Sequence, residues 1–271
     1  MNERSISADI TDTDDTPRPG DSYVQSFARG LAVLRSFGFD APQQTLSEVA
    51  ERARLTRAGA RRILLTLLHL GYVEADGRLF RLTPKVLDLG YAYLSSLPVW
   101  TQAQPLLEEL MQTLRQSCSA TVLDGDDIVY EVPLSAQRTM SITLGIGSRL
   151  PAYCTSMGRV LLSGLAPDAL RARLSKMALL KITPATKVDI EALMEEIAQV
   201  RRQGWCLVQE ELEQGLIALA APVFDRAGKV VAAINVSGQT AGPSVAHLLE
   251  HSLPKLLDTA SRVSALVRVQ Q

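Results

Sequence analysis

The chain has 271 residues, of which 46% are hydrophobic, and its formal net charge is −1. This length allows two ordinary domains, and the apolar content is typical of a globular protein and excludes a wholly disordered one. No apolar run approaches the roughly 18 residues that a membrane span needs, and the near-neutral charge argues against a general polyanion binder.

The first 20 residues are rich in Asp, Thr, Ser and Pro and contain no hydrophobic stretch. They are predicted to form a solvated tail and not a signal peptide, so the chain is expected in the cytoplasm. The cysteines and histidines have the spacing of neither a disulfide framework nor a zinc site, so no metal and no cofactor are expected. These residues are Cys118, Cys154, Cys206, His69, His247 and His251.

In chain order, the first predicted elements are three helices and a hairpin. The segment YVQSFARGLAVLRSF (residues 23–37) carries an apolar stripe at helical spacing. Thr45 and Glu48 form a capping box that begins a second helix over residues 46–54. Thr56 caps a third helix, which ends at Gly71, and Asp-Gly at 76–77 marks a hairpin. This order predicts a winged helix-turn-helix domain over residues 21–84.

The predicted elements then change in character. A helix over residues 85–96 has little polar surface, so it is predicted to be a linker (residues 85–98) that pairs with a second copy. An amphipathic helix follows at 102–116. Hairpin signals at 124–125 and 227–228 predict an antiparallel sheet in a GAF-like effector domain over residues 99–271, giving an α+β fold. Its predicted strands are 120–123, 128–132, 140–144, 207–209, 216–224 and 230–236, with helices at 156–164, 167–176 and 189–203 and a closing stretch at 245–269.

Arginines cluster at the front of the third predicted helix and on the hairpin. Arg57 and Arg61 are one helical turn apart and point outward together. A recognition helix enters the major groove by its N-terminal end, where an arginine side chain can bind guanine or a phosphate. For any single arginine, the alternative is that it only forms part of a solvated helix face. The candidate DNA-contacting residues are Ser47, Thr56, Arg57, Ala58, Gly59, Arg61, Arg62 and, as phosphate-neutralising residues of the wing, Arg78 and Arg81.

Four segments carry a resemblance to a known family. Residues 23–96, together with GSRLPAYCTSMGRVLLSGL, GWCLVQEELEQGLIALAAPV and AAINVSGQT, closely resemble the IclR family of bacterial transcription regulators. They are most similar to its branch that controls aromatic-acid breakdown through the β-ketoadipate pathway. The resemblance implies double-stranded operator DNA, a small organic acid effector, further copies of the chain in a dimer or tetramer, and RNA polymerase as partners.

The segment Cys154 to Gly158 precedes an apolar helix. Its hydroxyls and free backbone N–H groups form a suitable anion site, although Thr155 or Ser156 acting only as a helix cap is the alternative. The resemblance implies effector contacts at Ile142, Leu150, Ser156, Met157, Val208, Leu216, Ala218, Asn235 and Ser237. The anion site at the start of the helix adds Thr155 and Gly158 to these candidates.

Two of these positions depart from the pattern of family members that bind short acids. Val208 and Ala218 stand where those members carry an acidic residue and a Cys or Ser, which favours a more apolar effector such as an aromatic carboxylate. Asn235 and Ser237 are two apart on a strand, so their side chains share one face. The glutamates at 210, 211 and 213 are expected to form a solvated turn.

An enzyme is the competing hypothesis, with Cys154 or Ser156 as the nucleophile of a hydrolase or transferase. That chemistry needs a base within hydrogen-bond reach, and the sequence has no supporting His motif, nucleophile elbow or phosphate loop. A scaffolding protein whose helix-turn-helix serves only dimerisation is a further alternative, but it leaves the outward arginines without a role. We therefore expect a regulator and no catalytic residues.

Overall fold

The computed structural model describes residues 23–38, 40–95, 98–134, 144–241 and 245–270. The chain divides into two compact units, residues 1–96 and 97–271. Nowhere in the described ranges is a helix both long enough and apolar enough to cross a bilayer.

The first unit contains the predicted helices and hairpin. The three helices begin and end within about two residues of the predicted bounds, and the predicted linker helix begins with a 3₁₀ turn. The elements are α1 (Gln25–Arg35), β1 (Gln43–Thr45), α2 (Leu46–Arg52), α3 (Arg57–His69), β2 (Val73–Asp76), β3 (Leu79–Leu82), the 3₁₀ turn (Pro84–Val86) and α4 (Leu87–Ser95).

Helix ends in this unit are set by the residues that the sequence indicates. The Glu48 amide donates to the Thr45 hydroxyl while the Thr45 amide donates to the Glu48 carboxylate, which confirms the capping box. Because its carboxylate accepts hydrogen bonds from Thr45, the pKa of Glu48 is lowered. Thr56 caps α3 by accepting from the Gly59 amide at 3.1 Å, and Gly77 takes the positive φ that the hairpin turn requires.

The core of the first unit lies where α1, α2, α3 and the small sheet meet. Leu64 and Leu67 of α3 are buried against Val33, Val49 and Val73. Three strands in the described part of this unit form an antiparallel sheet in the order β1-β3-β2. Strand β1, which was not predicted from the sequence, pairs with the wing strand β3 and leads directly into α2.

The second unit is built on an antiparallel sheet with helices on both faces. Within the described ranges its six strands are ordered β6-β5-β4-β9-β8-β7. The elements are α5 (Pro98–Leu114), β4 (Ser117–Asp124), β5 (Asp127–Leu134), β6 (Arg149–Pro151), α6 (Ser156–Ser163), α7 (Pro167–Leu174), α8 (Ile190–Gln203), β7 (Cys206–Gln209), β8 (Leu216–Phe224), β9 (Val230–Gln239), α9 (Val245–His247), a π-helical turn (Leu248–Ser252) and α10 (Leu253–Gln270).

Each face of this sheet has its own core. Helices α5 and α10 cover one face, where Leu107 and Leu256 pack on Leu219 and Ile234. Helix α6 packs against β8 and β9 on the other face and is backed by α8. Because side chains alternate along a strand, every second residue of β4, β8 and β9 faces α6. The predicted hairpins at 124–125 and 227–228 are confirmed as the β4–β5 and β8–β9 connections.

The second unit departs from the sequence predictions at β6, at the start of α5 and at Glu211. The edge strand β6 was missed, and α5 begins at Pro98, earlier than predicted, with Pro105 inside it. The predicted strand at 140–144 falls on residues of which 140–143 lie outside the described part of the chain. The expected solvated turn of glutamates is wrong for Glu211, which is 3% exposed because it is ion-paired with a buried arginine.

Candidate functional site

The first candidate site is the outer surface of the helix-turn-helix. Helices α2 and α3 are joined by residues 53–56, and Arg54 takes a positive φ in this connection. Arg57, Ala58 and Arg61 are exposed at the N-terminal end of α3, although the helical repeat places Arg57 near the side of the helix that carries the buried Leu64. In the described part of the chain, neither Arg57 nor Arg61 has a carboxylate within ion-pair distance, so both guanidinium groups face solvent without an internal partner.

The other predicted DNA contacts occupy different surroundings. Ser47 is exposed on α2, and the Thr56 hydroxyl is engaged in capping α3. Gly59 is close-packed, because a Cβ there would lie 3.1 Å from the Thr56 hydroxyl. Arg62 and Gly59 line a groove of about 710 Å³ between α1, α3 and α4, so Arg62 points away from the Arg57 and Arg61 side chains.

The two wing arginines are not equivalent. Arg78 is exposed next to Gly77 in the turn. Arg81 on β3 lies directly across from Glu74 on β2, and its Nε donates to the Glu74 carboxylate at 2.6 Å. A phosphate contact by Arg81 therefore competes with an existing ion pair.

Lys85, a further positive residue close to these arginines in the sequence, has a structural role. Its Nζ donates to the Leu70 carbonyl at 2.9 Å and lies 5.2 Å from the centre of the Tyr72 ring. A lysine at this place satisfies a carbonyl at the C-terminal end of α3. Lys85 is thus held at the C-terminal end of α3, although it remains exposed.

The second candidate site lies on the sheet face that α6 covers. Val208, Ala218 and Ser237 stand side by side in one row across β7, β8 and β9. Asn235 is in the adjacent row, next to Ala220, and Leu216 is on the same side of β8. The structure therefore brings these sequence-predicted effector residues together on one face.

Helix α6 supplies the second wall of this site. Ser156 and Met157 in its first turn are each 2% exposed. Gly158 is required by packing, because a Cβ there would lie 2.1 Å from the Ala152 carbonyl oxygen. Leu150 on β6 is buried in the same core as Met157, whereas Ile142 lies outside the described residues.

Thr155 acts as the cap of α6. Its hydroxyl accepts from the Gly158 amide at 3.1 Å and is within 3.2 Å of the Pro151 carbonyl, to which it donates. This geometry matches the alternative reading in which Thr155 only caps the helix. Within the described ranges, the Ser156 hydroxyl makes no such contact.

Asn235 is a buried polar residue whose side-chain oxygen has no hydrogen-bond donor among the described residues. It is 6% exposed, and its Oδ1 accepts no hydrogen bond within the described part of the chain. Leaving such a group unpaired costs about 1–3 kcal/mol, and orphaned groups of this kind are rare in folded proteins. An unpaired acceptor on the face that α6 covers is therefore suited to a ligand that offers a donor.

A polar stripe on β4 that the sequence did not reveal lies beside β9. Ser119 is directly opposite Asn235, Ser117 is opposite Ser237, and Thr121 donates to the Met157 sulfur at 3.3 Å. The sequence signal was present as small polar residues at every second position of SCSAT. This pattern indicates that β4 contributes to the site only when the pairing of β4 with β9 is known.

The geometry does not support a nucleophile at this site. Cys154 is fully buried, and burial raises the pKa of its thiol to about 12, so the thiol stays protonated near neutral pH. The three histidines are exposed on α3, α9 and the π-helical turn. Among the described residues none of them pairs with Cys154 or Ser156, and no group of His, Cys, Asp and Glu there could hold a metal ion.

Comparison with known families assigns both units. The family model described as the IclR helix-turn-helix domain matches residues 26–77, and the one described as the bacterial transcriptional regulator IclR C-terminal domain matches residues 91–265. The chain belongs to the IclR family. It is therefore a regulator of the α+β class with a DNA-binding helix-turn-helix and a C-terminal antiparallel-sheet domain.

Three IclR relatives are similar over most of the chain. The Pca regulon regulatory protein of Pseudomonas putida is 44% identical, with 89% of this chain and 82% of the relative covered. The p-hydroxybenzoate hydroxylase transcriptional activator of Acinetobacter baylyi is 36% identical, with 91% and 93% covered. The solved structure of an IclR homolog from Microbacterium hydrocarbonoxydans, complexed with 4-hydroxybenzoate, has a TM-score of 0.79 and 25% identity, with 90% and 99% covered.

These IclR relatives are named as regulators of transcription and not as enzymes. The Acinetobacter activator, named for p-hydroxybenzoate hydroxylase, and the Microbacterium homolog, solved with 4-hydroxybenzoate, each match this chain across both of its units. The family expected from the sequence is thereby confirmed, together with its branch of aromatic-acid regulators.

Proposed function

We propose that this IclR regulator binds operator DNA through the front of α3 and the wing, and that an aromatic carboxylate bound between α6 and the sheet controls that binding. An effector shifts a two-state equilibrium only if it binds the two states with different affinity. In this proposal the effector therefore binds one arrangement of the regulator more tightly than the other. The same difference changes the affinity for DNA.

The buried, unpaired Oδ1 of Asn235 is the observation that carries the effector half. It implies a ligand with a hydrogen-bond donor, such as a ring hydroxyl. The N-terminus of α6 is suited to the ligand carboxylate, because backbone N–H groups and the helix dipole favour an anion there. Asn235 and Ser156 then bind opposite ends of one small molecule.

The aromatic class is supported by the residues between those two ends. Val208 and Ala218 are adjacent across β7 and β8 and present only apolar atoms from their side chains. Met157 adds a polarizable sulfur, which makes favourable contacts with aromatic rings. The 4-hydroxybenzoate in the Microbacterium homolog and the name of the Acinetobacter activator agree with this choice.

Substitution of Asn235 by leucine separates stability from ligand binding. Because Asn235→Leu replaces an unsatisfied polar group by an apolar one of similar size, unfolding of the ligand-free protein is expected to become harder, by about 1 kcal/mol. The dissociation constant for 4-hydroxybenzoate is expected to rise about tenfold, since a hydrogen bond in a dry site is lost. Calorimetric titration and thermal unfolding measure the two effects.

Gln209→Leu is the matched control for this experiment. It removes an exposed amide from β7 of the same sheet and is expected to leave binding unchanged. Benzoate, protocatechuate and pyruvate are titrated beside 4-hydroxybenzoate. If wild-type protein binds none of the aromatic acids, or binds pyruvate more tightly than all of them, the aromatic proposal is wrong.

For the DNA half, the structure distinguishes the two wing arginines. Arg78→Ala is expected to weaken binding to all sequences similarly and to flatten the dependence of log K on log salt by about 0.9 unit, as one lost phosphate contact does. Arg81→Ala is expected to flatten it less, because Glu74 already engages that guanidinium. Filter binding at several salt concentrations tests this order, and a larger change for Arg81→Ala would contradict it.

We further propose that the regulator is a homo-oligomer. The apolar side chains of Leu87, Leu89, Tyr91 and Tyr93 on α4 are at least half exposed, and a second copy of the chain would cover them.

We also propose a division of the chain into a tail (1–20), a winged domain (21–84), a linker (85–98) and an effector domain (99–271). The proposed site of action is the bacterial cytoplasm, where operator DNA and RNA polymerase are present.

A further inference from the structure

A buried arginine lies in the first turn of α6. Arg159 is 1% exposed although it carries a permanent positive charge. Burying a charge is costly unless it is paired and its donors are satisfied. Its Nε donates to the Tyr153 carbonyl at 2.9 Å, and its two terminal nitrogens donate to the carboxylates of Glu196 and Glu211, each at 2.6 Å.

Glu211 is fixed from the other side as well. Its carboxylate accepts from the Lys187 amide at 3.0 Å, and its own carbonyl accepts from the Thr186 hydroxyl at 2.6 Å. The Lys187 side chain pairs with Glu196, the second carboxylate partner of Arg159. Two cations and two carboxylates thus form a neutral cluster that joins residues 183–187, α8 and the turn after β7 to Arg159.

This cluster holds two segments that border the proposed effector site. Tyr153, whose carbonyl Arg159 holds, is three residues before Ser156. Glu211 is in the turn between β7, which carries Val208, and β8, which carries Ala218. The geometry points to Arg159 and Glu211 as a positioning pair, which fixes the first turn of α6 against the β7–β8 turn and so sets the spacing of the effector site. This inference rests on the proposed function for the identity of that site.

An ion pair suits this role better than an apolar contact does. The planar guanidinium offers donors in fixed directions, so its three acceptors can be satisfied together only in one arrangement of the segments that carry them. Buried ion pairs add little net stability, and specifying one geometry is their best supported use. The sequence separation of 52 residues between Arg159 and Glu211 means that the pair links segments that no local interaction connects.

Glu211→Gln tests the pair with almost no change in side-chain volume. We expect the dissociation constant for 4-hydroxybenzoate to rise about tenfold, as mutations that act through another residue can do. We also expect amide hydrogen exchange of residues 152–158 to become about tenfold faster, because their local opening becomes easier. Affinity is measured well below the unfolding temperature, and exchange at residues 152–158 is compared with exchange in α10, because a loss of global stability alone would accelerate both regions alike.

The matched control is Glu191→Gln, which removes the carboxylate partner of Arg171 in an exposed ion pair between α7 and α8. It is expected to leave both readouts unchanged. Should Glu211→Gln not fold, Glu196→Gln removes the less buried partner of Arg159 and is expected to move both readouts in the same direction by less.

The outcomes separate this inference from the proposed function. Unchanged exchange at residues 152–158 overturns the positioning pair, and so does faster exchange with unchanged effector affinity, because the pair would then be only structural. If the wild-type protein binds no aromatic carboxylate, the proposed function fails, and the exchange result alone decides whether Arg159 and Glu211 hold α6.

Discussion

Replacing Gly158 by alanine is expected to destabilise the effector domain by about 3 kcal/mol, the upper range for overpacking a close-packed interior. The added Cβ would lie 2.1 Å from the Ala152 carbonyl oxygen and 2.4 Å from the Ala152 Cα. These are backbone atoms, so the clash cannot be relieved by rotating a side chain. The first turn of α6 must therefore move, and effector binding is expected to be lost with it.

Thermal unfolding of the purified protein measures this effect, and a decrease in Tm of roughly 6–12 °C is expected for a domain of this size. Gly90→Ala is the control, because that glycine lies in α4 with no atom within 4 Å of an added Cβ. Alanine there is expected to be neutral or to stabilise α4 by up to about 1 kcal/mol. Equal Tm values for both variants would show that α6 does not pack on residue 152 as described.

Removing the two outward arginines of α3 is expected to have the largest effect on DNA binding. Each good arginine–guanine contact contributes about 1–3 kcal/mol to discrimination, so Arg57→Ala with Arg61→Ala is expected to lower operator affinity on the order of 100-fold. Non-specific binding is expected to fall much less, because the phosphate contacts of the wing remain. The ratio of the two affinities is the decisive quantity.

The measurement is a gel shift against an operator selected from a random pool, with an unrelated duplex beside it. Arg202→Ala removes one exposed arginine from α8 in the effector domain, so it is the charge-matched control for each of the single variants Arg57→Ala and Arg61→Ala, which are measured beside the double variant. If the double variant and Arg202→Ala retain the same operator affinity, the front of α3 is not the recognition surface.

The sequence predicted the helix-turn-helix well because its signals are local. The Thr45–Glu48 capping box, the Thr56 cap and Gly77 each act within four residues, so their meaning does not depend on the rest of the chain. The helical repeat shows that Arg57 and Arg61 are neighbours on α3, but it also places Arg57 near the side of buried Leu64, so their exposure at the end of the helix is known only from the structure. The short strand β1 was missed because three polar residues show a strand only through their pairing with β3.

For the effector site, the sequence indicated most of the residues but not how they are arranged. Asn235 and Ser237 were placed on one face by strand periodicity, whereas their neighbours Ser119 and Ser117 required the β4–β9 pairing. The glutamates after β7 look like any solvated turn, and only the fold shows that Glu211 is buried against Arg159. A buried charge and an exposed one cannot be distinguished without the partner, and this partner is 52 residues away.

By itself, then, the sequence determined most of the elements, their caps and turns, the family and the cluster of arginines at the start of α3, because each of these depends on neighbouring residues or on a helical or strand repeat. The tertiary structure alone decided which polar residues share the α6 face of the sheet. It also decided that Arg81 is ion-paired with Glu74 while Arg78 is exposed in the turn, and that the buried charge of Arg159 is paired with carboxylates. These facts depend on contacts between distant segments, whose burial and pairing arise only when the strands and helices pack.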